Sequence, residues 1–188
     1  MALVELQRAV SRRGDTLEVR FHGLRLDAEA PADYGRTTVE NLCAHLSISE
    51  VEAEAMLQKV VDVGREVGVG FDFRRARGAS TFDAHRLLKW AHIYGEQSRL
   101  AQVLWRAHFE DGLLVSDHSV LAACADEVGL PSSEAMQVLI SDQYAAEVLA
   151  GEKVAGERGI VRTPHFVFEN GRELSGMQYA ADFEAALA

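Results

Sequence analysis

Asn170-Gly171 stands between two short apolar stretches near the end of the chain and constrains its fold more than any other pair of residues. Asn-Gly is the favoured pair for a type I′ turn, which needs positive φ at both central positions. The segments beginning at His165 and Arg172 are therefore expected to form a β-hairpin. Thr163-Pro164 leads into the first of them. A proline cannot donate to a sheet ladder, so Pro164 is expected at the strand's start or in a special turn. Only an X-Pro bond reaches the cis state cheaply, at about 0.5–1 kcal/mol. Tyr179 to Leu187 then reads as a closing helix.

The other end of the chain has the same mixture. Met1 to Arg13 is an amphipathic helix, with Leu3, Leu6, Ala9 and Val10 at helical spacing and Gly14 to end it. Thr16 to Gly23 alternates apolar and polar residues, the signature of a strand. From Thr37 to Gly156 the pattern is helical throughout. Ser49 with Glu52 forms a capping box before a long periodic run that stops near Gly68 and Gly70. Ser80 with Asp83 has the same spacing before another helix. Further helices are expected over 96–110 and 117–128, and from Ser132 or Ser133 to Glu157 with a break near Ser141-Asp142. This predicts an α/β protein in which residues 1–36 and 157–188 form one unit and residues 37–156 an all-helical insertion.

Charge and cysteine usage narrow the function. A net charge of −10 disfavours a nucleic-acid partner, since phosphate binding needs clustered positive charge. No apolar run approaches the roughly 20 residues that span a bilayer, and no signal-peptide pattern opens the chain. No membrane association is expected, and a cytoplasmic location is. Cys43 and Cys124 lie far apart in apolar helical surroundings, where free cysteine behaves as a small buried hydrophobe. The histidines have no paired ligand spacing, so no metal site is expected. His85 and His165 stand out, His85 because it follows Phe82 on a helix and His165 because it follows Pro164.

Several blocks carry a family resemblance. Ser80-Thr81-Phe82-Asp83-Ala84-His85-Arg86-Leu87, Leu104-Trp105-Arg106-Ala107-His108-Phe109, Gly159 to Phe168, and Leu174-Ser175-Gly176-Met177-Gln178 resemble segments of the DsbA family. More narrowly they resemble its FrnE-like branch, related to 2-hydroxychromene-2-carboxylate isomerases and kappa-class glutathione transferases. The resemblance implies a thioredoxin-like fold with a large helical insertion and the activity of a thiol–disulfide oxidoreductase. It also implies a substrate groove at a cis-proline, with Thr163, Pro164 and His165 beside it and Phe82 and His85 facing it from the helical part. The groove would take a thiol or disulfide peptide, or glutathione, by strand addition.

The family's first strand and its Cys-Pro-x-Cys motif have no counterpart in this sequence, since Met1 aligns within the helix that follows them. A catalytic thiolate needs the lowered pKa that a helix N-terminus gives, so dithiol exchange by the family mechanism is not expected of the chain as it stands and no residue is assigned as catalytic. Removing a central strand would also leave two rows of backbone groups unpaired, at about 1–3 kcal/mol for each buried group against a typical total stability of about 5–15 kcal/mol. Three resolutions are open: a native start upstream, direct pairing of the flanking strands, or a second chain over the gap. Three functions follow: a family member inactive in exchange, with no cofactor; a glutathione-dependent isomerase or transferase relative; or a non-enzymatic peptide-binding or homodimerising module. Intact-mass measurement on protein from the native host tests the first resolution. A mass about 2 kDa above 20.6 kDa would support an upstream start, and a matching mass would remove it.

Overall fold

A computed structural model describes residues 1–14 and 16–188. Among the described residues there are nine α-helices and one two-stranded sheet. Helix α1 (Ala2–Arg13) ends at Gly14 in the left-handed conformation, φ 71°. Helices α2 (Thr38–Leu46) and α3 (Glu50–Val67) both start with capping boxes, Thr37 with Glu40 and Ser49 with Glu52. Then come α4 (Phe82–Ile93), α5 (Gln97–Phe109), α6 (His118–Glu127), α7 (Ser132–Leu139) and α8 (Ala145–Glu157). Strands β1 (His165–Val167) and β2 (Glu173–Ser175) and helix α9 (Ala180–Leu187) complete the chain. The N-cap of α4 is Thr81, without a side-chain capping bond, rather than Ser80. Ser80 Oγ instead accepts from the Phe82 N–H at 3.4 Å.

The hairpin is present, but its turn differs from the expected type I′. The Gly171 N–H closes on Phe168 O at 2.9 Å, and the Phe168 N–H on Arg172 O at 2.9 Å. Gly171 has φ 82°, whereas Asn170 is not among the described residues with positive φ. The connection is thus a three-residue loop with a left-handed glycine and a bulge. Asn170 uses its side chain instead: Oδ1 accepts from the Arg172 N–H at 3.0 Å, and Nδ2 donates to Ala186 O at 2.8 Å, tying the loop to α9.

The alternating segment Thr16–Gly23 is neither helix nor ladder strand. Alternation predicts a half-buried extended chain, and a ladder additionally needs a neighbouring strand. The one sheet among the described residues contains β1 and β2 alone, so this segment does not pair directly with the hairpin. Its Phe21 finds a side-chain substitute. The Phe21 N–H donates to Gln97 Oε1 at 2.9 Å, and Gln97 Nε2 donates to Phe21 O at 3.3 Å and to Leu88 O at 3.1 Å. Gln97 is only 4% exposed, so its amide does inside the protein what a strand's peptide group would do.

Buried apolar side chains fall into two clusters. The larger draws on α4, α5, α6 and α7, around Leu87, Leu100 and Leu121. The smaller joins Leu3, Leu6 and Ala9 of α1 to Ala180 and Phe183 of α9, with Val19, Phe21, Phe166, Phe168 and Leu174 against it. Phe166 meets the fully buried Phe183 edge to face at 4.8 Å. Cys124 lies in the larger cluster as expected, but Cys43 is partly exposed on α2. The two-helix unit of α2 and α3 cannot enclose a side chain on every face as the four-helix packing around Cys124 does.

Helix α4 packs against α5, α6, α7 and α8, and Arg86 holds that arrangement. Arg86 is only 4% exposed. Nε donates to Gln143 O at 2.8 Å, Nη1 to Asp83 Oδ1 at 2.6 Å and Leu139 O at 3.4 Å, and Nη2 to Val138 O and Ser141 O. These carbonyls lie at and just beyond the C-terminus of α7, where a helix leaves acceptors without intrahelical donors. The other Asp83 oxygen lies 2.9 Å from His118 Nε2, which brings in α6. Arg86→Met should therefore lower the melting temperature by about 10 °C, from a loss of roughly 3–5 kcal/mol. Arg86→Lys should recover part of it. A change within about 2 °C on calorimetry would show that the carbonyls do not depend on this residue.

Candidate functional site

The Thr163–Pro164 peptide bond is cis, and both residues are exposed at the entry to β1. Pro164 O accepts from the Gly176 N–H at 2.8 Å, which begins the hairpin ladder. The register pairs His165 with Ser175, Phe166 with Leu174 and Val167 with Glu173. Because Pro164 and Phe168 both bond across the hairpin, alternation assigns Phe166 to that inward set and turns the backbone of His165 and Val167 outward. Among the described residues no hydrogen bond reaches those outward groups. The proline loop therefore opens directly onto an unpaired strand edge.

Side chains on β1 divide by face. Phe166 enters the smaller core, whereas His165 lies opposite, its Nε2 2.9 Å from Glu173 Oε2. Arg158 bonds the other Glu173 oxygen. Hydrogen bonds from His165 and Arg158 hold the Glu173 carboxyl below its ordinary range. The imidazole beside Pro164 is thus fixed in orientation by an acidic residue on the neighbouring strand.

Phe82 and His85 belong to a second group, built where segment 16–26 crosses α4 and α8. The His85 ring lies so close to Gly23 that a Cβ there would come within 2.5 Å of its Cγ, so this crossing needs glycine. The Arg25 guanidinium stacks 4.7 Å above the Phe82 ring and grips Glu152 of α8, with Nε to Oε1 at 2.7 Å and Nη2 to Oε2 at 2.8 Å. Its own N–H donates to Glu152 Oε1 at 3.2 Å. Lys89 Nζ approaches His22 Nδ1 at 3.4 Å. Burial pushes the His85 and His22 pKa values down, and the Lys89 charge adds to the effect at His22. The Arg25 hydrogen bonds pull that of Glu152 below its ordinary range.

Thr163, Pro164 and His165 thus share one loop and strand, and Phe82 and His85 share one turn of α4. No hydrogen bond, ion pair or ring contact among the described residues joins the two groups. Sequence reasoning missed Gln97, Arg25 and Glu152. Gln97 was legible as the one polar member of the stripe Gln97, Leu100, Leu104 and Ala107, whereas Arg25 and Glu152 are 127 positions apart and carried no signal. Both cysteines are free thiols, and burial pushes Cys124 up to about 11, far from a reactive thiolate. Two open concavities of about 380 and 340 Å³ flank Arg106 and Glu127 on α5 and α6, apart from both groups. Arg106 is engaged there by Glu127 and Asp111. No group of three or more metal-ligating side chains occurs among the described residues, and no helix among them is long and apolar enough to cross a membrane.

A hairpin backed by two terminal helices, a proline loop at its entry and a large helical lobe define a thioredoxin-like domain with a helical insertion. The DsbA-like thioredoxin domain matches residues 1–188, and the chain belongs to that family. A probable DsbA oxidoreductase from Streptomyces coelicolor superposes with a TM-score of 0.91 at 29% identity, over 99% of this chain and 81% of its own. A putative protein disulfide isomerase from Nitrosomonas europaea gives a TM-score of 0.60 at 18% identity, over 80% of this chain and 86% of its own, a likeness of fold alone. No curated protein matches the chain significantly.

The perturbed groups around α4 set a pH dependence. A histidine whose folded pKa is depressed adds stability that is complete above its unfolded value, near 6.5, and is lost as pH falls through the folded value. Glu152 behaves likewise one step lower, beginning near 4.5. Urea midpoints should therefore start to fall just below pH 6.5 and fall further below 4.5. His85→Phe, which keeps a ring against Gly23, should shrink the first step to the part that His22 contributes and leave the second. An unchanged first step would remove His85 from this linkage.

Proposed function

We propose that this chain is a substrate-binding member of the DsbA-like family, of the FrnE-like branch, which holds an extended thiol- or disulfide-bearing peptide without catalysing dithiol exchange itself. The observation that carries the reading is the outward backbone of His165 and Val167 beside Thr163-Pro164, which offers two N–H and two C=O groups to an added strand. Val167 is 48% exposed, which leaves its side of the edge open. The His165–Glu173–Arg158 chain of contacts gives the outer face a fixed polar group for the ligand's side chains. Support for the absence of exchange chemistry comes from the sequence, which contains no Cys-x-x-Cys, and from the raised thiol of Cys124.

Val167→Pro tests the edge directly. The Val167 N–H is not used within the hairpin, and proline asks residue 166 only to stay extended, so the fold should survive while one outward donor is lost. Binding of fluorescent single-cysteine peptides, read by anisotropy with reduced glutathione as competitor, should weaken by about tenfold. Equal binding by a folded Val167→Pro variant would overturn the strand-addition reading. Insulin reduction by the purified chain should not exceed the uncatalysed thiol control. Multiple turnovers there would overturn the assignment as a binder without exchange activity.

A further inference from the structure

Helix α3 has an interaction pattern that the fold does not use. Ala53, Met56, Val60, Val63 and Val67 recur at alternating three- and four-residue steps, the seam of an antiparallel or parallel coiled coil. Among the helices and strands, α3 packs to any extent only on α2, and the Phe71 ring of the loop that follows lies against it at Gly64. Ala53 and Val67 are buried, but Met56 is 51% exposed and Val60 and Val63 are only half-buried. One apolar flank of the longest helix therefore remains open.

The charges along that flank point to the occupant. Glu52, Lys59 and Glu66 follow one another at seven-residue spacing, each just before a seam residue, and they alternate in sign. Glu52 is engaged in the capping box with Ser49. Lys59 and Glu66 make no ion pair among the described residues. Residues at this heptad position face their own counterparts when two such helices run antiparallel. A two-fold axis beside Val60 and Val63 sets Val60 of one copy on Val63 of the other, with the exposed Met56 side chains flanking them. It also brings Lys59 of each copy to Glu66 of the other. Oppositely signed charges thus meet twice by symmetry, whereas a parallel pairing would set this heptad position beside Leu57 and Gly64, which carry no charge.

We propose that α3 is a homodimerisation surface, on which two copies of this chain pair antiparallel through Met56, Val60 and Val63, with reciprocal Lys59–Glu66 contacts at the rim. The two α2–α3 pairs then form a four-helix bundle, the usual way for helical hairpins to bury an apolar face that each leaves open alone.

Sedimentation velocity over about a hundredfold range of concentration, on the full chain, tests this. The wild type should show a concentration-dependent dimer. Lys59→Glu should raise the dimer dissociation constant by roughly tenfold, since it turns two attractive contacts into two repulsive ones. Glu66→Lys should do the same, and the double variant Lys59→Glu/Glu66→Lys should return to near the wild-type value. Because both positions are exposed, helix content by circular dichroism should not change in any variant. A monomer at every concentration would overturn the proposal. So would a dimer indifferent to Lys59→Glu, or a double variant no tighter than the singles.

Discussion

The Arg86 guanidinium is the contact on which the arrangement of the helical lobe depends. A buried cation is costly unless its donors are satisfied, and here they meet a carboxylate and four carbonyls around the end of α7, of which Val138 O is shared with Ser141. The cation thus removes two problems together, its own desolvation and that of the carbonyls at the end of a neighbouring helix. It fixes α4 against α7, and through Asp83 and His118 it reaches α6. Since Phe82 and His85 lie on the same helix as Arg86, the placement of that helix decides where those two side chains stand.

Segment 16–26 connects that lobe to the smaller core. Its apolar residues Val19 and Phe21 go into the core with α1 and α9, and Phe21 also meets Trp105 of α5 edge to face at 6.1 Å. Its polar contacts go the other way, to Gln97, Glu152 and the His85 ring. A chain without a ladder must satisfy its backbone by such individual contacts, and each requires a particular side chain. That differs from β1, whose inward backbone is satisfied by the hairpin whatever the side chains, and whose outward backbone takes no hydrogen bond among the described residues.

Local signals were legible where they act over a few residues. The capping box at Ser49, the glycine stops of α1 and α3 and the hairpin beyond Pro164 all follow from residues within one turn of each other. The turn type at Asn170-Gly171 was not legible, because the Asn170 side chain is held by Ala186 O on α9, a partner 16 positions away. The strand reading of Thr16–Gly23 was wrong about pairing, since alternation encodes which face is buried and says nothing of what lies alongside. The cis peptide bond at Thr163–Pro164 and the strand that follows it could be placed from their sequence neighbourhood. The grip of Arg25 on Glu152 could not, because an ion pair between distant positions leaves no periodic trace.

By itself the sequence determined the order of the helices and the C-terminal hairpin, the α/β class, the absence of a Cys-x-x-Cys and the family resemblance. These depend on periodicity, on capping and turn chemistry, and on short motifs, all of which act between near neighbours. Tertiary structure alone decided that His165 is oriented by Glu173, that Gln97 replaces a ladder partner for Phe21, and that the outer edge of β1 and the Met56–Val63 flank of α3 remain uncovered. Each of those depends on which surfaces meet when the two cores form, and burial and pairing between distant residues are properties of the packed chain rather than of any window along it.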